Sequence, residues 1–410
     1  MKNVLIYPAG TEIGLEIFRA LKFQKDFKVY GANTYVDHSQ YVFDHLLYAP
    51  DIYKERDSAC EVIKAIIQEL HIDFVFPTHD QVIYELSKEN IPQVILPDAE
   101  TAEICRSKHL TYGTFAGIIE VPKVFDKETQ KIEFPVFAKP DKGQGSRGTF
   151  KVTNQNEYSR ITDELILEYL PGPEYTVDCF TDRHGKLRFV SPRIRSRISN
   201  GISAKTEIID HDKERIFTIA FFINKNLKLR GQWFFQVKER DSGELVLMEI
   251  AARAAGSSCL TRARGVNLPL LTLYDRMDMD VEIIESDYVK VTDRALENKY
   301  YFDYNFKNVY IDMDDTLIPI NPEMIALLYK FRKQGKFIYL VTSHKGSIPK
   351  VLHENAISTL LFDDIHQTDT KTDYIEPESI FIDDSFAERK KVHEKYNIPT
   401  FDVQQAIEVL

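Results

Sequence analysis

The first hundred residues alternate short apolar runs with amphipathic stretches. Asn3 to Tyr7, Val29-Tyr30, Phe74 to Phe76 and Val94-Ile95-Leu96 read as strands, whereas Glu12 to Leu21, Ala59 to Leu70 and Gln81 to Lys88 carry apolar residues at helical spacing. Strand alternating with helix predicts a small doubly wound parallel sheet. Thr78-His79-Asp80 follows the third strand, at the edge where such sheets bind ligands; Thr78 or Asp80 either caps the next helix or contacts a ligand.

The middle of the chain changes pattern. Phe134 to Pro140 is an apolar strand that runs into Asp141-Lys142-Gly143-Gln144-Gly145-Ser146-Arg147-Gly148, and Thr149 to Val152 returns as a strand. A glycine fingerprint for dinucleotides opens a helix; glycines between two strands form a flap whose backbone N–H groups close over phosphate oxygens. Lys139, on the strand feeding the flap, would neutralise those phosphates. Leu165 to Asp178 reads as strand, turn and strand, and Leu245 to Ala251 as another strand with Glu249 inside it. A lone buried carboxylate is costly, and a metal ion offsets that cost. Arg193, Arg195 and Arg197 alternate, so on a strand they share a face, with Lys205 following. That row fits either an acidic substrate or acyl phosphate, or a solvated edge strand.

The tail carries the most specific pattern. Val309 to Ile311 is an apolar strand leading into Asp312-Met313-Asp314-Asp315-Thr316, with Asp312 and Asp314 one residue apart and on one face. A second strand, Phe337 to Val341, ends in Thr342-Ser343, and a third, Ser379 to Ile382, ends in Asp383-Asp384. Lys371 offers a cation, with Lys345 and Lys350 as nearby alternatives. Paired carboxylates after a strand suit phosphoryl transfer: one attacks phosphorus, a magnesium ion shields it, and the other moves a proton.

This order resembles the haloacid dehalogenase (HAD) superfamily over about residues 306 to 410. The resemblance implies Asp312 as nucleophile, Asp314 as acid/base, Thr342 and Lys371 as phosphoryl-oxygen partners, and Asp312, Asp314, Asp383 and Asp384 around magnesium. The gaps between these motifs hold only a helix and its turns, so the domain is expected to lack a cap. The preceding 290 residues resemble the ATP-grasp superfamily, in particular its carbamoyl-phosphate-synthetase-like members. That resemblance implies an ATP site made of Lys108, Lys139, Gly143, Gly145, Ser146, the backbone of Glu168, Tyr169 and Leu170, and Glu174 for ribose. It further implies Gln236 and Glu249 as magnesium ligands and Arg253 on the transferred phosphoryl group. Ala251 stands where the family usually has Asn, which removes one oxygen ligand.

The expected architecture is therefore α/β and α+β multidomain: a Rossmann-like pre-grasp domain (1–100), an ATP-grasp domain (101–290), a linker (291–305) and a capless HAD-like doubly wound domain (306–410). A length of 410 residues accommodates this. Hydrophobic residues at 43%, charged residues at 28% and no apolar run near the roughly 20 residues of a membrane span fit a soluble cytoplasmic protein. A net charge of −11 argues against a nucleic-acid backbone as partner. Cys60, Cys105, Cys179 and Cys259 lack a paired spacing and read as reduced thiols. The combined expectation is a bifunctional enzyme, an ADP-forming carboxylate–amine ligase joined to a magnesium-dependent phosphatase. Its cofactors would be ATP and Mg²⁺, and its partners a small carboxylate, an amine and a phosphorylated metabolite, with an oligomer left open. A grasp kinase with an opposing phosphatase, and a nucleotide sensor regulating the phosphatase, are the alternatives.

Overall fold

The computed structural model describes residues 1–410 apart from 128–131, 144–147, 200, 296 and 299. The chain divides into two compact units, Met1–Leu296 and Glu297–Leu410.

The first unit opens with β1 (Lys2–Tyr7), β2 (Phe27–Asn33), β3 (Leu46–Tyr48) and β4 (Phe74–Pro77), a parallel sheet in the order β3-β2-β1-β4. Leu5 and Tyr7 belong to one buried cluster and Val4 and Ile6 to another, so both faces are covered; this is why the strand is continuously apolar. The helix Glu12–Leu21 matches its sequence reading because Thr11 caps it, accepting from Gly14 N, and Ile17 and Leu21 fall on one buried stripe. Val94 forms only an isolated bridge to Val75, so Val94-Ile95-Leu96 is not the strand its composition suggests. Part of the sheet's cover comes from far along the chain: Leu273, on the helix Leu268–Arg276, packs in the Val4 and Ile6 cluster.

Two antiparallel sheets follow. β5 (Val124–Phe125), β6 (Val136–Lys139), β7 (Phe150–Val152) and β8 (Leu165–Glu168) form the smaller, in the order β5-β8-β6-β7. β9 (Glu174–Thr181), β10 (Leu187–Ser199), β11 (Ile202–Ile208), β12 (Gly231–Glu239), β13 (Leu245–Ala251) and β14 (Val291–Asp293) form the larger, in the order β13-β12-β9-β10-β11-β14. The residues expected to begin a linker therefore supply an edge strand, β14, paired with β11.

The second unit is a parallel sheet of β15 (Asn308–Ile311), β16 (Phe337–Thr342), β17 (Asp364–Gln367), β18 (Ser379–Ile382) and β19 (Thr400–Phe401), ordered β17-β16-β15-β18-β19. Val309 and Ile311 enter one core cluster and Tyr310 another, so this sheet too is buried on both faces. Phe302, Tyr304 and Phe306 pack against the first cluster, which starts the unit at Glu297, ahead of the expected 306. The four cysteines are free thiols, and no helix among the described residues is long and apolar enough to cross a membrane.

Candidate functional site

In the first unit, an open cavity of about 850 Å³, counting the solvent in its mouth, lies among β6, β8, β9, β12 and β13. Lys108, Lys139, Gly143, Glu168, Tyr169, Leu170, Glu174, Gln236 and Glu249 all line it. Gly145 and Ser146 lie outside the described residues.

Lys139 ends β6 and is buried. Among the described residues it makes no ion pair; its ammonium lies 3.5 Å from Met248 O and 5.3 Å from the Tyr112 ring. Burial first, and then the neighbouring Lys108 charge, push it down to about 7. Such a cation is poised for an anion. Lys108 begins a helix capped by Ser107, which also bonds Asp141, and the Lys108 ammonium donates to Gly143 O at 3.1 Å, at the root of the glycine loop.

At the other end the apolar side chains of Phe137, Leu167 and Met248 form walls beside the Glu168–Leu170 backbone. The Glu168 carboxylate turns to Arg240, at 2.7 Å, and to Lys123 N, at 2.9 Å, which fixes that backbone. Gln236 and Glu249 are register partners on β12 and β13. Gln236 Nε2 donates to Thr176 Oγ1 at 3.3 Å, which leaves its oxygen for another partner. An amide oxygen beside a carboxylate is a fitting donor set for a hard divalent cation.

The row of arginines is divided by tertiary structure, because each guanidinium has its own carboxylate. Arg193 is fully buried against Asp178 at 2.6 Å, and Arg197 pairs with Asp293 at the surface. Arg195 alone reaches the cavity, where it pairs with Glu174 and donates to Gly201 O at 2.8 Å. Lys205 pairs with Glu207 at 2.9 Å. The expected shared anion seat is thus not formed by Arg193, Arg197 and Lys205. Arg253 does not line the cavity either; Asp80 holds it through both oxygens, at 2.8 and 2.7 Å. Neither Thr78 nor Asp80 caps the helix Asp80–Leu86, whose N-cap is His79 without a side-chain bond. The sequence reading missed Lys238, which lines the cavity 3.9 Å from Glu174; its spacing of two from Gln236 on one strand was the available signal.

In the second unit, β15 lies between β16 and β18, so the ends of these three parallel strands bring their terminal side chains together. Oxygens of Asp312, Asp383 and Asp384 lie within 4.8 Å of one another. Lys371 sits 2.7 Å from both Asp312 and Asp383, whereas Lys345 and Lys350 pair with Asp369 and Glu354 on the surface. Burial raises the Asp383 carboxyl to about 6 and Asp312 above its usual range, although Lys371 opposes both shifts. Three carboxylates with one lysine fit a divalent cation as further countercharge. Thr342 is buried, its hydroxyl accepting from His344 N at 3.1 Å. Asp314 is not part of the carboxylate cluster: both its oxygens lie 3.0 Å from His344 Nδ1, a residue the sequence reading did not single out.

Residues 160–297 match the family model described as ATP-grasp in the biosynthetic pathway with Ter operon. Solved structures extend the likeness. Biotin carboxylase from Campylobacter jejuni, complexed with β-γ-ATP, aligns at TM-score 0.57 and 18% identity, covering 69% of this chain and 72% of that one. L-amino acid ligase from Bacillus licheniformis aligns at 0.55 and 18%, covering 67% and 74%. N5-carboxyaminoimidazole ribonucleotide synthetase from Thermotoga maritima aligns at 0.55 and 18%, covering 75% and 83%. The chain thus carries the mixed α/β ATP-grasp fold. No curated protein matches it in sequence.

Proposed function

We propose that the first unit is an ADP-forming carboxylate–amine ligase. The observation that carries this reading is the single cavity shared by Lys108, Lys139, the Glu168–Leu170 backbone, Glu174, Gln236 and Glu249. Lys108 and Lys139 would hold phosphate oxygens, the apolar walls and the Glu168–Leu170 backbone would hold adenine, and Glu174 would hold ribose once Arg195 yields it. Gln236 and Glu249 would hold Mg²⁺, which supplies charge neutralisation to phosphoryl transfer when bound. The chain's part is orientation and exclusion of water, so no side-chain nucleophile is needed here. Neighbours of the same fold bind ATP analogues or MgADP and include an L-amino acid ligase, which supports the substrate class.

The second unit reads as a capless HAD-type phosphatase. In it Asp312 would attack phosphorus, Asp314 would carry the proton, Thr342 and Lys371 would hold the phosphoryl oxygens, and Asp383 and Asp384 would complete the cation site. Two activities in one chain suit consecutive steps on one small-molecule route, with a phosphorylated precursor or product as the second substrate.

The test uses the full chain with MgATP and a panel of carboxylic acids and amines, measuring ADP and free phosphate separately. ADP that requires both an acid and an amine, disappears in Glu249→Ala and persists in Asp312→Asn is the expected result. ADP formation with the acid alone and a stable phosphorylated product would replace the ligase by a kinase. ATP binding without turnover would replace it by a nucleotide sensor.

A further inference from the structure

Arg253 lies four residues beyond Glu249 and just past the end of β13, yet its orientation is set by a residue far away in sequence. Asp80, which stands 173 residues earlier at the edge of the first parallel sheet, accepts from Arg253 Nε at 2.8 Å and from Nη2 at 2.7 Å. Nη1 donates to Ala254 O at 3.1 Å, and the guanidinium lies 5.2 Å from the Phe234 ring centroid. Among the described residues each terminal nitrogen therefore keeps one N–H for another acceptor, and the plane of the fork is fixed on three sides. Asp80 is itself on firm ground. Thr78 Oγ1 donates to Pro8 O at 2.8 Å, Thr11 Oγ1 donates to Thr78 Oγ1 at 3.0 Å, and Thr78 N donates to Tyr7 O at 2.9 Å. The turns after β1 and β4 are thereby pinned to one another beside Asp80.

Arg253 does not line the cavity, but Phe234, which it lies over, is two residues before Gln236 and on the same face of β12, so its guanidinium stands next to the Gln236–Glu249 end of the cavity. We infer that Asp80 is a positioning residue for phosphoryl transfer, holding Arg253 so that its two remaining N–H groups serve that end. This rests on the ligase reading above and adds to it a role for the first parallel sheet: it supplies the residue that points the arginine. A bidentate carboxylate on the Nε edge leaves the guanidinium one orientation, whereas an amide in its place accepts through one oxygen only and lets the plane rotate. A misplacement of about 1 Å at such a centre lowers turnover by about 100-fold.

The experiment compares wild type, Asp80→Asn, Asp80→Glu, Arg253→Lys and the double variant Asp80→Asn/Arg253→Lys, all as full chains. It measures MgATP turnover with the acid–amine panel, the KM for ATP and thermal unfolding. Asp80→Asn is expected to lower kcat by about 100-fold while the KM for ATP stays within about threefold. It is expected to add less than about threefold to Arg253→Lys, because its target is then already lost. Asp80→Glu keeps the charge and is expected to recover about tenfold of that loss in kcat; should Asp80→Asn fail to fold, a kcat for Asp80→Glu at least about threefold below wild type, at constant KM for ATP, carries the test. Wild-type kcat in Asp80→Asn, or fully additive losses in the double variant, overturns the inference alone. No MgATP turnover by wild type with any pair overturns the ligase reading and this inference with it.

Discussion

Gln236 and Glu249 face one another as register partners on adjacent antiparallel strands, and both line the cavity of the first unit. Under the ligase reading neither side chain alone would make a divalent site; the pairing would. Substituting Glu249→Ala is expected to reduce ADP formation by at least about 100-fold, and Gln236→Ala by less, since a neutral ligand contributes less charge. Titrating Mg²⁺ against turnover checks this. An unchanged Mg²⁺ requirement in both variants would remove the pair from the metal site.

Lys139 gives a pH signature. Its folded pKa, about 7, lies below the ordinary lysine value of 10.5. Between those values the unfolded chain binds the extra proton, so stability rises with pH from about 7 to about 10.5, by a few kcal/mol in order of magnitude. Urea unfolding at pH 7 and 9 is expected to show this rise in wild type and a smaller one in Lys139→Met. Nucleotide phosphates would restore the charge, so binding at pH 8 is expected to take up a proton, read as a buffer-dependent calorimetric enthalpy.

Lys371 is countercharge to two buried carboxylates, Asp312 and Asp383. Replacing it by Met leaves them unopposed, which is expected to destabilise the second unit by about 3–5 kcal/mol and to abolish the phosphatase activity proposed for it. Mg²⁺ is expected to raise the unfolding temperature of Lys371→Met more than that of wild type, because the cation then supplies the missing charge. Equal shifts in the two proteins would argue that the cation does not sit at these carboxylates.

Arg193 and Arg197 separate structural from surface roles within one strand. Asp178, the partner of Arg193, also accepts from Thr261 Oγ1 at 2.5 Å, so Arg193→Ala strips a buried network and is expected to cost about 3–5 kcal/mol in denaturant unfolding. Arg197→Ala removes a surface pair and is expected to cost less than about 1 kcal/mol, with turnover unchanged.

The chain's pattern by itself determined the elements that matter most. Continuous apolar runs such as Val309 to Ile311 could only be strands buried on both faces, and the acidic and hydroxyl residues at their ends had to gather at one sheet edge. Glu249 inside an apolar strand pointed to a partner or an opening beside it, and it lines the cavity of the first unit. What the sequence could not decide was which partner each charge takes. Period-two spacing put three arginines on one face, but Asp178, Glu174 and Asp293 come from other strands and neutralise them separately. Asp80 looked like a cap because capping is local, whereas its ion pair with Arg253 spans 173 residues. Val94 to Leu96 had the composition of a strand, yet it meets β4 only at the single bridge from Val94 to Val75, too short a pairing for a ladder. Local pattern fixes backbone conformation and facing; ion pairing falls off steeply with distance, so it is settled only when tertiary packing brings the charges within a few ångströms.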